Sequence, residues 1–106
     1  MNRATARDAF EKRIGGWAKR LDVQQRSVTV RGMRNKWASC STAGRLTFDE
    51  LVPRLPHDLQ DYVIVHELLH LKAPNHGKLW KSLMRAYLGD YEGLEARLKR
   101  KVMPPT

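Results

Sequence analysis

From Tyr62 to Leu71 the chain reads Tyr-Val-Ile-Val-His-Glu-Leu-Leu-His-Leu, which would place apolar side chains nearly all round a helix. Such a helix must be buried on most sides, so the rest of the chain has to wrap it. With 106 residues there is enough chain to do this once, as one domain over residues 1–106 with one core. The longest unbroken apolar run, Tyr62-Val63-Ile64-Val65, is far shorter than the roughly 20 residues that cross a bilayer. No membrane association is expected.

The flanking segments supply elements that could do the wrapping. From Arg3 to about Leu21, Ala6, Phe10, Ile14, Trp17 and Leu21 recur at spacings of three and four, which predicts an amphipathic helix weakened in its middle by Gly15-Gly16. Ser27-Val28-Thr29-Val30-Arg31 alternates like a strand. Lys36–Cys40 and Arg45–Phe48, separated by Thr42-Ala43-Gly44, read as a hairpin. Pro56 suits the first turn of the central helix, which should run to about Lys72 before Pro74 stops it. Leu79, Trp80, Leu83, Met84, Tyr87 and Leu88 mark the next helix, closed by Gly89. Asp90 is placed to cap a last helix toward Lys101, with Pro104-Pro105 ending the chain. The expectation is an α+β fold: an N-terminal helix, a small, mainly antiparallel sheet, the central helix and two more helices.

Twenty Lys and Arg against eleven Asp and Glu leave a net charge of +9, while 42% hydrophobic residues exclude a disordered basic tail. The charge fits weak, sequence-independent nucleic-acid binding and simple solubility equally well. Residues 1–8 lack an apolar signal region, and Asp8 and Glu11 disfavour a transit peptide, so a cytoplasmic location is expected. Cys40 is the only cysteine, which forbids an intrachain disulfide and a Cys-rich zinc cage. Any metal must therefore rely on histidines and carboxylates.

His66-Glu67-Leu68-Leu69-His70 is an HExxH pattern, and it falls inside the helix expected on independent grounds. Residues four apart lie about 40° from one another around a helix, so both imidazoles can converge on one ion. Glu67 sits beside them, within reach of a water activated by that ion. A catalytic zinc takes three protein ligands and keeps one position open. His76, six residues after His70, is the nearest third ligand, with Glu92 and Glu95 as rivals from a later helix. His57, at a helix start, reads as a surface residue. No base neighbours Cys40 in the sequence, so it reads as packing rather than as a nucleophile. Trp17, Trp80 and Tyr87 sit at helical core spacing.

The blocks Arg34–Ser41, Gly44–Asp49, Asp61–His70 and Asn75–Trp80, in this order and spacing, resemble the YgjP-like metallopeptidase family, and more loosely the SprT-like proteases. The resemblance runs from about Arg31 to Tyr91, with Ala38 where the family usually has glycine. It implies one zinc per chain bound by His66, His70 and His76, Glu67 as general base, and a small sheet beside a substrate cleft. The implied activity is hydrolysis of peptide bonds in a peptide or protein substrate, with Tyr62, Tyr87, Tyr91 or an arginine available to steady the oxyanion. Two other functions are weighed beside it: a nucleic-acid-binding module with a structural zinc, and a metal-dependent nucleotide pyrophosphatase, an activity sometimes attached to this family. No phosphate-cradling glycine-rich loop is present to support the latter.

Overall fold

Helix α1 (Arg3–Leu21) leads into the first strand, β1 (Ser27–Arg31), of the computed structural model, which describes residues 3–73 and 75–101. The turn expected at Pro74 and the end expected at Pro104-Pro105 lie outside the described residues. Helix α1 is unbroken at Gly15-Gly16, because its apolar stripe is fully used: Phe10, Ile14 and Leu21 are each 1% exposed. Burying side chains of this size contributes roughly 1.5–3 kcal/mol each, more than two glycines cost a helix.

A hairpin follows, formed by β2 (Ala38–Cys40) and β3 (Arg45–Asp49), with Gly44 at positive φ in its turn. The strand order is β1-β3-β2. β2 pairs antiparallel with β3 as expected, but β1 pairs parallel with it, Ser27 opposite Arg45 through Arg31 opposite Asp49. The sheet is therefore mixed rather than mainly antiparallel. The chain passes through β2 before β3 returns to lie beside β1, a relation that local alternation of residues does not encode. β2 is left as an edge strand.

Helix α2 (His57–Leu68) starts directly after Pro56, and a 3₁₀ turn (Leu69–Leu71) continues it. Leu59, Tyr62, Val63, Ile64, Val65 and Leu68 are all buried, so α2 is the enclosed helix that the apolar run demands. Asp61 ties α1 to it, accepting from Arg13 Nη1 and Trp17 Nε1 at 2.8 Å each. Lys72 Nζ donates to Leu21 O at 2.7 Å, satisfying a carbonyl at the end of α1. Helices α3 (Lys78–Leu88) and α4 (Tyr91–Lys99) complete the shell. Gly89 closes α3 at φ 68°, and the Asp90 carboxylate caps α4 by accepting from Gly93 N. No helix among the described residues is long and apolar enough to cross a membrane.

Candidate metal centre

α2 delivers the first part of the site because its flanks are pinned by packing. His66 lies on the last turn of α2 with its side chain 22% exposed, and the neighbouring Glu67 side chain is only 10% exposed. His70 falls in the 3₁₀ turn rather than in the α-helix expected to reach Lys72. The chain tightens at Leu69, whose carbonyl accepts from both Lys72 N and Ala73 N. His76 stands between this turn and α3, where the Asn75 carboxamide accepts from Gly77 N.

The three imidazoles converge although they come from three local geometries. One nitrogen from each of His66, His70 and His76 lies within 4.8 Å of the others. His70 Nε2 and His76 Nε2 are 3.1 Å apart. A tetrahedral zinc with Zn–N bonds of about 2.05 Å has ligand nitrogens about 3.3 Å apart, so this pair already stands at ligand spacing. His66 Nδ1 sits 2.9 Å from Glu67 Oε2, which fixes the ring through one nitrogen. His76 is pulled below the ordinary imidazole range, first by loss of water around the ring and then by the facing His66 and His70. A lowered value keeps its lone pair available, as ligation requires.

Trp80 contacts all three rings, lying face-on or tilted to His70 and His76 and edge-on to His66. Its ring centre lies 4.4 Å from His76, 5.1 Å from His66 and 6.4 Å from His70, with Tyr91 edge-on behind it at 6.0 Å. Its indole N–H is buried with no hydrogen-bond partner among the described residues. Leaving such a donor unpaired costs about 1–3 kcal/mol. Sequence spacing assigned Trp80 to the core, which is correct, but its contact with the three imidazoles depends on how α3 docks against the end of α2 and has no signal in the spacing.

A cleft of about 320 Å³ opens beside His66 and Glu67, lined on one side by β2 and the loop before it, on the other by α4. Of the rival ligands, Glu95 lines this cleft, whereas Glu92 pairs with Arg85 Nη2 at 2.6 Å on the surface. Glu95 Oε2 accepts from Tyr62 Oη at 2.9 Å, and this bond chiefly holds its carboxyl below the usual range. Burial, then Glu95, pushes the Tyr62 phenol up, so it stays protonated. Among the three tyrosines weighed as oxyanion donors, only Tyr62 lines the cleft. Tyr91 is buried behind Trp80, and Tyr87 packs edge-on against Trp17 at 6.4 Å. His57 is exposed, as expected. Cys40 is half-buried on β2.

A three-histidine cluster at the end of an enclosed helix, with His66 and the buried Glu67 lining an open cleft in an α+β shell, defines a metal-dependent hydrolase. The particular lineage is equally plain: the chain belongs to the YgjP-like metallopeptidase domain family, whose model matches residues 1–101. Among solved structures, the metallopeptidase zymogen of Pyrococcus abyssi abylysin superimposes with a TM-score of 0.76 at 26% identity, covering 88% of this chain and 94% of that one. The zymogen of Methanocaldococcus jannaschii jannalysin gives 0.73 at 26% identity, with coverages of 85% and 91%. No curated protein sequence matches the chain.

Proposed function

We propose that this protein is a zinc-dependent peptidase in which His66, His70 and His76 hold the ion and Glu67 is the general base. The observation that carries the reading is the convergence of three imidazole nitrogens within 4.8 Å beside Glu67. An all-imidazole donor set suits zinc among the common divalent ions. When bound, the ion supplies Lewis acidity toward a peptide carbonyl and toward water.

The chain's own residues do the rest. Glu67, 8% exposed, takes a proton from the attacking water and returns it to the departing amine. Its hydrogen bond to His66 Nδ1 keeps the carboxylate oriented until a substrate arrives. Tyr62, held protonated, is the cleft phenol able to donate to a developing oxyanion once its single O–H turns away from Glu95. Peptide or protein segments that can lie extended along β2 are the substrates.

The test is metal content and peptide cleavage in three proteins. Parent protein should carry one zinc and cut an unstructured peptide library. Glu67→Gln should keep the zinc and lose cleavage by about 10²-fold or more. His76→Ala should lose both. Zinc retained in His76→Ala moves the third ligand to Glu95, and unimpaired cleavage by Glu67→Gln removes Glu67 as base.

A further inference from the structure

The cleft continues well past His66 and Glu67. It runs between α2 and α4 to Val63, Leu98 and Lys99, beneath Lys36 and Trp37 of the loop preceding β2. From Glu67 back to Val63 on α2, and from Glu95 on to Lys99 on α4, are four residues each, about 6 Å of helix. Extended peptide advances about 3.3 Å per residue, so a substrate reacting at Glu67 places a side chain one or two residues from the scissile bond at this far end.

What waits there is apolar on the walls and cationic on the rim. Trp37, Val63 and Leu98 form the walls, and Lys36 and Lys99 the rim. The acids of the cleft are already engaged. Glu95 gives Oε2 to Tyr62 and Oε1 to Lys99 Nζ at 3.2 Å, and Glu67 lies at the other end beside His66. Lys36 has no acidic partner among the described residues. Its backbone is nevertheless held. Asn35 adopts φ 57°, buried Asp49 accepts from Met33 N at 2.9 Å, and Asp49 N donates to Trp37 O at 2.8 Å. An unpaired cation on a pinned loop, over an apolar channel, is complementary to a carboxylate on a short methylene stem.

We propose that this end of the cleft is a specificity subsite for an acidic substrate side chain, with Lys36 and Lys99 receiving the carboxylate and Trp37, Val63 and Leu98 packing its methylenes. The assignment rests on the peptidase reading and narrows its substrates to acidic segments. Both lysines are solvent-exposed, so together they contribute a modest factor of about five rather than an absolute requirement.

The experiment has a binding arm and a cleavage arm. Glu67→Gln protein is titrated with labelled peptides in which a single Glu, Gln or Lys is moved along an otherwise neutral sequence. At one position Glu should bind about five-fold tighter than Gln, and more tightly still than Lys. Adding Lys36→Met should cut the difference to about two-fold, the share left to Lys99, and adding Lys36→Glu should reverse it toward Lys, with circular dichroism unchanged. Parent protein should show the same order in kcat/KM. Equal binding of all three peptides at every position, a preference untouched by Lys36→Glu, or displacement by a short oligonucleotide as effective as by the acidic peptide would overturn the subsite. Absence of cleavage by the parent with the binding preference intact would refute the peptidase reading and leave the subsite standing.

Discussion

Burial, and then the charge of Glu67, pushes the Cys40 thiol up from its ordinary range. A thiol held protonated is neither a good nucleophile nor a ready metal ligand at neutral pH. Cys40→Ser should therefore retain the parent's zinc content and most of its cleavage; zinc lost from a folded variant would reveal a thiolate ligand. The Tyr62–Glu95 pair gives a prediction in pH. Glu95 titrates below its unfolded value chiefly because the Tyr62 hydroxyl donates to it. A depressed carboxyl adds stability that is present above the unfolded pKa and is lost as pH falls through the folded one. Tyr62→Phe removes the largest cause, so the variant should melt below the parent near neutrality, and the gap should narrow in acid below both values. A gap that does not change with pH would mean the hydroxyl acts only through packing. His66, Glu67, His70 and His76 were legible in the sequence because the HExxH spacing and the following histidine are local. Trp80's contact with all three rings was not, because it depends on how α3 docks against the end of α2.

At the level of elements, helix α1 runs from Arg3 to Leu21 as its apolar spacing predicts, and the hairpin forms around Gly44. Two features escaped. The parallel pairing of β1 with β3 joins strands separated by β2, so no turn chemistry announces it. The change from α to 3₁₀ geometry at Leu69 is set by the closing bonds to Lys72 and Ala73, which periodicity does not resolve. The end of α3 was legible and is testable. Gly89 adopts φ 68° and ψ −119°, and a Cβ there would meet nothing within 4 Å, so strain would be purely conformational. Gly89→Ala should cost about 2 kcal/mol in urea unfolding, while α3 and α4 persist by circular dichroism. A loss near zero would show that the turn relaxes into another backbone conformation.

For the molecule as a whole, the proposed metal site would double as a clasp. His66 belongs to α2, His70 to the 3₁₀ turn and His76 to the approach to α3, so one ion held by all three would join consecutive parts of the shell around the buried helix. α1, β2, α3 and α4 all pack on α2. Anything bound to the folded state alone stabilises it by mass action, about 4 kcal/mol when free ligand is a thousand times its Kd. In a domain of this length each kcal/mol moves Tm by roughly 4–8 °C. Chelation of the zinc-loaded protein should then lower Tm by about 15 °C or more, and zinc added back should restore it. His76→Ala should melt near the chelated parent and should not respond to the chelator. If chelation leaves the parent's Tm unchanged while removing the metal, the three histidines are preorganised by Trp80 and the surrounding core alone, and the ion contributes chemistry without contributing to the fold.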